Sequence, residues 1–247
     1  MITVRERAGR KEITASVTEF TGGLEYCQYM IDFMVKGKRK KPSAAAMQGA
    51  AIHKGIEKYE QKHVVLEPVS EQQLSNEEHN IEFAREKIMT RLLRPVSVGG
   101  TEAAVLLMGR ADKIMRENST LIVQDEKTAR NAQKYDSLVE PYRGQKLQVL
   151  TYLNSMFTEK GSMNPDDWFE VPHERKMWRV NVLDREDGLR LYKSFEGYQT
   201  DADLEYLNGS LETFVEIVLG KRLPDHHNSA NKCRACGYFD DCSDRIE

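Results

Sequence analysis

Asp112, Asp125 and Lys127 are the residues whose types and spacing best match a chemistry. They lie in GRADKIMRENSTLIVQDEK, residues 109–127. The stretch reads as a β-hairpin. Its first arm, Ala103 to Met115, is mostly apolar. Its centre, Arg116 to Thr120, is polar with turn formers, and its second arm, Leu121-Ile122-Val123, is β-branched and apolar. A turn centred between Asn118 and Ser119 sets Asp112 opposite Asp125. Side chains directly opposite each other in a hairpin lie about 5 Å apart. Two carboxylates that close repel, and a divalent cation between them reverses the sign. Lys127, two residues beyond Asp125, projects from the same face. Two carboxylates and an ammonium on one sheet face suit metal-assisted phosphodiester hydrolysis: the metal polarises phosphate and water, and the lysine holds or activates the attacking water. Charged residues make up 30% of the chain, so a D…DxK pattern also arises by chance as a solvated face. The rest of the chain has to decide.

The flanking sequence supplies elements to position such a site. Ser16-Val17-Thr18-Glu19 has capping-box form and predicts a helix from Val17 that carries Cys27, bent or broken at Gly22-Gly23. Pro42-Ser43 opens a second helix, Ser43 to about Lys62, on which His53 and Glu57 share a face. A short strand follows over Val64 to Val69. Ser75-Asn76-Glu77-Glu78 caps a third helix running to about Leu93 and ended by Pro95. After the hairpin, Thr128 to Val139 reads as a polar loop. A helix then runs from Leu138 or Tyr142 to about Glu159, with Leu147, Leu150, Leu153 and Met156 on one side and Gln148 and Tyr152 on another. Trp168 to Leu183 is strand-like, Leu189 to Tyr198 is strand or helix, and 202–219 is helix despite Gly209. The tail from Pro224 is polar and cysteine-rich. The class expected is α/β.

At 247 residues with 40% hydrophobic content, the chain is long enough for a real core. Its longest non-polar run, Ala103 to Met108, is far short of the ~20 residues of a membrane span, and the charged N-terminus has no secretory h-region. The expected location is intracellular. A formal net charge of −3 excludes a globally basic, histone-like binder. The local basic patch is Lys36 to Lys41, a nucleic-acid contact or a solvated loop.

Three of the four cysteines fall in CRACGYFDDC: Cys233, Cys236 and Cys242. The fourth is Cys27. C-x2-C commonly begins a metal site, and four thiolates suit zinc or an iron–sulfur cluster. Disulfides need an oxidising compartment that nothing here suggests. One close pair, one cysteine at longer spacing and one remote residue favour a cluster over paired zinc knuckles. Either would tie the N-terminal helix to the tail.

Taken in order, these residues resemble the RecB-like branch of the PD-(D/E)XK nucleases that carries an iron–sulfur staple. That branch includes CRISPR-associated single-domain nucleases, eukaryotic exonuclease V and the nuclease domains of AddAB. The resemblance runs from Ser16 to Cys242. It implies a single RecB-like nuclease domain over 1–247 with a restriction-endonuclease-like core, a central mixed β-sheet flanked by helices. A cysteine-rich segment, 221–247, completes the cluster with Cys27. It implies a site of His53, Asp112, Asp125 with Lys127, and Gln148 with Tyr152, and a 4Fe–4S cluster on Cys27, Cys233, Cys236 and Cys242. Mg²⁺ or Mn²⁺ would bind His53, Asp112 and Asp125; a histidine ligand leans the choice toward manganese. The family often has Cys-Pro where this chain has Cys27-Gln28. Glu126 follows the motif acid and is an alternative ligand. Its side chain points to the opposite sheet face, which leaves its backbone carbonyl.

The implied activity is a metal-dependent DNA exonuclease favouring single-stranded ends, in DNA repair or CRISPR spacer acquisition. No GxxxxGK[ST] motif is present, so a helicase partner, like a CRISPR integrase partner, would be a separate chain. Two alternatives stand beside it: a structure-specific DNA endonuclease, distinguished by attack on circular substrates, and a catalytically idle iron–sulfur DNA-binding module, against which the intact Asp112, Asp125 and Lys127 argue.

Overall fold

A computed structural model describes residues 1–7, 9–42, 47–52, 54–55, 81–82, 88–159 and 168–247. His53, Glu57, the Val64–Val69 strand and the capping box at Ser75 lie outside the described residues, as does most of the second helix, of which 47–52 and 54–55 are helical. The chain divides into two compact units: Met1–Lys54, Leu93–Met108 and Tyr206–Glu247 form the first, and Gly55–Leu92 and Gly109–Glu205 the second.

The first unit begins with an antiparallel pair, β1 (Thr3–Arg7) and β2 (Arg10–Ser16). β2 then runs parallel to β5 (Thr101–Arg110), from Lys11↔Ala103 to Ser16↔Met108. Ser16 ends β2 and caps α1 (Val17–Glu25): its Oγ accepts from Glu19 N, and the Glu19 carboxylate accepts from Ser16 N at 2.8 Å. The predicted capping box is therefore in place. The helix breaks at Tyr26–Gln28 rather than at Gly22-Gly23, and α2 (Tyr29–Val35) follows. Cys27 consequently sits in the link between two helices, not on one. Gly23 is fixed by packing, because a Cβ there would run into the Ile31 side chain. Ile13, Val17, Phe20, Ile31, Val105, Leu107 and Phe214 are buried in this unit. Phe20 meets Phe214 edge-on, with ring centroids 5.3 Å apart.

β4 (Ile88–Val98) replaces the predicted end of the third helix. Thr90 and Leu92, then Val96 and Val98, are buried while Leu93, Arg94 and Pro95 are exposed, the period of a strand and not of a helix. Pro95 does not end the element. Of β4, Ile88 to Arg91 pair with β8 (Met156–Glu159), so Pro95 lies past that ladder, where a missing N–H costs least.

The second unit is built on a mixed sheet of order β10-β9-β7-β6-β3. Its members are β3 (Ile81–Glu82), β6 (Lys113–Glu117), β7 (Thr120–Ala129), β9 (Arg175–Asp184) and β10 (Arg190–Tyr198). The predicted first hairpin arm is thus two strands, β5 and β6, broken at Ala111-Asp112. The register is the expected one: Lys113↔Gln124 through Glu117↔Thr120. Asn118 and Ser119 both have positive φ, 44° and 61°, the backbone of a tight two-residue hairpin loop. β7 is central, antiparallel to β6 and parallel to β9. Thr120 to Glu126 are all buried, which explains an apolar run with little alternation.

α3 (Arg143–Leu153) packs on β7 and β9 and buries Leu147, Leu150 and Leu153. It stops six residues before the predicted end at Glu159, because Met156–Glu159 is β8. α4 (Asp201–Val218) and the short α5 (Ala230–Ala235) complete the described helices of more than one turn beyond it. No described helix is long and apolar enough to cross a membrane.

Candidate functional site

β7 carries Asp125 and Lys127 on one face and Gln124 and Glu126 on the other. Asp125 is 2% exposed. Its Oδ2 pairs with Lys127 Nζ at 2.7 Å. The same ammonium donates to Gln148 Oε1 at 2.9 Å, and Gln148 Nε2 donates to the Tyr152 hydroxyl at 3.2 Å. The i, i+4 pair on α3 therefore faces Asp125 and Lys127, one helical turn bridging to one strand. Glu126 turns away. Its Oε1 accepts from Gln124 Nε2 at 3.0 Å, and both residues are buried.

Asp112 precedes β6 in the break after β5. Its Oδ2 accepts the Glu126 backbone N–H at 2.6 Å. β6 ends at Lys113, so past Gln124 this edge of β7 has no β6 residue to pair with, and Asp112 takes the amide. In a strand the N–H and C=O of one residue point to the same edge, so the Glu126 carbonyl is directed to the side where Asp112 lies.

The electrostatics are those of crowded acids. Burial, and after it the charge of Asp125, pushes the Asp112 carboxyl up to about 8. Burial opposes the Lys127 ammonium, but Asp125 and Asp112 outweigh it and hold the group above its usual value, fully charged. Burial and the Asp125 charge raise Tyr152 as well, so its phenol keeps its proton.

Two neighbours escaped the sequence reading. Tyr135, in a short 3₁₀ turn (Ala132–Tyr135), is buried and close enough to Lys127 to feel its charge. Gln145 Nε2 donates to its hydroxyl at 3.0 Å. The expected polar loop after β7 hid this turn, whose only signal was Tyr135 amid polar residues.

The four cysteines converge in the first unit. All are free thiols, lining one pocket together with His226 and His227. Each sulfur accepts a backbone N–H. Cys27 takes those of Tyr29 and His227, and Cys242 that of Asp244. Cys233 takes Ile246 N at 3.3 Å and Cys236 takes Tyr238 N at 3.5 Å. Burial pushes the Cys27 and Cys242 thiols up. The two histidines carry no motif of their own in the sequence; His227 lies six residues before Cys233. The basic patch is exposed, as a solvated loop would be, and partly paired. Lys36 pairs with Asp32 at 2.7 Å, Lys38 with Asp241 at 3.3 Å and Lys41 with Asp240 at 2.7 Å. Three of its five basic residues are thus engaged with carboxylates, two of these acids from the segment between Cys236 and Cys242.

The family model of the PD-(D/E)XK nuclease superfamily matches residues 26–243, from just before Cys27 to just after Cys242. The chain belongs to the PD-(D/E)XK nuclease superfamily. No curated protein matches it in sequence. Its fold is similar to the crystal structure of SSO0001, at 16% identity and a TM-score of 0.53 over 98% of this chain and 90% of that one. A second similar structure is an alkaline exonuclease, LHK-Exo, from Laribacter hongkongensis. It has 10% identity and a TM-score of 0.41, over 84% of this chain and 89% of that one.

PD-(D/E)XK nucleases generally use divalent metals such as Mg²⁺ or Mn²⁺, and the donors here fit one. The buried Asp125 and its neighbour Asp112 are two acids crowded close enough for one to oppose the other's ionisation, and hard oxygen donors suit both ions. The cysteine pocket fits a thiolate-bound group on a different observation: four free sulfurs line one pocket.

Proposed function

We propose that the chain is a metal-dependent deoxyribonuclease that degrades DNA from single-stranded ends. The observation that carries the reading is the buried Asp125 carboxylate, paired with Lys127 Nζ at 2.7 Å and close enough to Asp112 to oppose its ionisation. Asp112, Asp125 and the Glu126 carbonyl would hold Mg²⁺ or Mn²⁺, joined by His53 as the resemblance implies. Bound there, the ion would polarise the scissile phosphate and lower the pKa of its water.

The remaining work falls to side chains. Lys127 is pinned from two sides, by Asp125 and by Gln148, so its third donor direction is preset. As a charged ammonium it orients the attacking water through the oxygen lone pair and offsets the charge that grows on phosphorus. Gln148 transmits the position of Lys127 to Tyr152, whose retained phenol proton is available to a phosphate oxygen of the strand being cut.

The exonuclease direction of the reading rests on the ordered motifs Asp112, Asp125-x-Lys127 and Gln148-x3-Tyr152, which resemble those of the RecB-like branch. The same resemblance supports a 4Fe–4S cluster on Cys27, Cys233, Cys236 and Cys242 as a structural staple, and a role in DNA repair or CRISPR spacer acquisition. Matched linear and circular single-stranded DNA, incubated with Mn²⁺, test the end requirement. The linear strand should shorten to nucleotides or short oligonucleotides while the circle survives. Equal cleavage of the circle would make the protein an endonuclease.

A further inference from the structure

Four thiolates complete the ligation of a 4Fe–4S cluster, so a cluster alone leaves two adjacent imidazoles in its pocket without a part to play. Those imidazoles are well placed. The Cys27 sulfur and one ring nitrogen each of His226 and His227 lie within 4.8 Å of one another. His226 Nε2 is 3.8 Å from Cys233 Sγ. The rings are held by packing rather than loose: Tyr29 meets His226 at 66° with centroids 5.2 Å apart, Tyr26 meets His227 at 80° and 5.9 Å, and the imidazoles are 4.7 Å apart.

A tetrahedral zinc ion with Zn–S near 2.3 Å and Zn–N near 2.0–2.1 Å sets its ligand atoms roughly 3.3–3.8 Å apart. The His226–Cys233 edge already has about that length. Drawing the Cys27, His226 and His227 atoms together needs about 1 Å of movement, within reach of side-chain rotation. Cys27 comes from the link between α1 and α2, and the other three residues come from the tail. Any metal bound by this set therefore joins the same two parts of the chain that the cysteines do.

We infer that the pocket contains a second, overlapping donor set, Cys27, Cys233, His226 and His227, which binds a single zinc ion when no iron–sulfur cluster is supplied. Zinc displaces the protons of the two thiols and takes both imidazoles neutral. Thiolate and imidazole together suit this ion. Cys236 and Cys242 then stand aside as thiols. The segment keeps a metal staple under either supply, and the choice of metal is read out by the choice of ligands. The inference is independent of the nuclease reading, because no residue of the catalytic group takes part.

Two full-length double variants separate the donor sets. H226A/H227A should still take up iron and sulfide on anaerobic reconstitution, yet lose zinc affinity by more than about 100-fold. C236S/C242S should lose the iron chromophore but retain one equivalent of zinc. Cobalt, used as the probe for zinc, should give tetrahedral visible bands in the apoprotein of the wild type and of C236S/C242S, and altered bands in H226A/H227A. Unchanged zinc affinity and cobalt spectrum in H226A/H227A would overturn the inference. So would loss of iron from that variant, which would make the imidazoles cluster ligands. If C236S/C242S does not fold, the wild-type and H226A/H227A cobalt titrations decide alone: identical spectra contradict the site, distinct spectra with weakened binding support it.

Discussion

Asp112 accepts the backbone N–H of Glu126 at 2.6 Å, and this one bond draws the acid between β5 and β6 into line with the acid of the central strand. It satisfies an amide that the end of β6 at Lys113 leaves without a ladder partner. It also places Asp112 where Asp125 can oppose its ionisation. The repulsion between two acids that a metal would relieve is thus anchored by a backbone hydrogen bond, and the predictions below follow from that frame.

Gln148 should matter through Lys127. Gln148→Met keeps the side-chain volume on α3 but removes the 2.9 Å acceptor for Nζ. Loss of one positioning hydrogen bond to a charged group is worth about 1.5–3 kcal/mol, so kcat should fall roughly 10- to 100-fold with little change in KM. The melting temperature should move by no more than about 2 °C. An unchanged kcat would show that Lys127 does not need this contact.

The metal-free protein should lose stability as pH rises, and Asp112 is the reason. Its folded pKa, about 8, lies above the ordinary value of 3.8, so the folded state holds the proton more tightly. The contribution is complete below the ordinary value and is lost as pH climbs toward about 8. In chelator, wild type should melt lower at about pH 8 than at about pH 6, and Asp112→Asn should flatten most of that difference. Mn²⁺ should raise the melting temperature more at the higher pH, where no proton need leave. Equal pH slopes for wild type and Asp112→Asn in chelator would remove Asp112 from this role.

Ser119→Gly should stabilise the hairpin. Ser119 sits at φ 61°, a region that costs a non-glycine residue about 1–2 kcal/mol. The added unfolded-state entropy of glycine takes back about 0.4–1 kcal/mol. A net gain of about 0.5–1 kcal/mol in urea unfolding is expected, because the Ser119 contacts that matter are its carbonyl's bonds from Glu174 and Arg175. A destabilised variant would mean that the hydroxyl has a role in the turn.

Gly237→Ala should loosen the cysteine segment. A Cβ there would run into the Lys41 carbonyl and the Lys40 side chain, and Gly237 O accepts Lys41 N at 3.0 Å. Overpacking of this kind costs about 1–3 kcal/mol. Metal retention during gel filtration should drop alongside stability; full retention with an unchanged melt would show that the basic loop yields without cost.

The sequence was most legible where local geometry carries the signal. The Asn118-Ser119 turn gave the register that brings Asp112 to Asp125, the i, i+4 spacing put Gln148 and Tyr152 on one helical face, and Ser16 with Glu19 announced α1. It was least legible where a local signal competed with a distant one. The stretch from Ala103 to Met115 is mostly apolar on both sides of Arg110-Ala111-Asp112-Lys113, so it reads as one arm where two strands stand. A helix predicted up to Leu93 hid the alternation of Thr90, Leu92, Val96 and Val98. The partners of Lys38 and Lys41, Asp241 and Asp240, are some two hundred residues away and so invisible to local patterns. His226 and His227 carried no partner at a spacing that local patterns recognise; only folding brings Cys27 to them.

Cleavage of end-labelled single-stranded DNA by wild type and Asp125→Asn, with and without Mn²⁺, tests the central claim most directly. Asn preserves the size of the buried side chain but removes the charge that faces the metal and Lys127. Wild type should cut with Mn²⁺ and not in excess chelator. Asp125→Asn should bind the same DNA with similar affinity yet cut at least about 100-fold more slowly. Wild-type cleavage that persists in chelator, or an Asp125→Asn variant that cuts at the wild-type rate, would contradict the account.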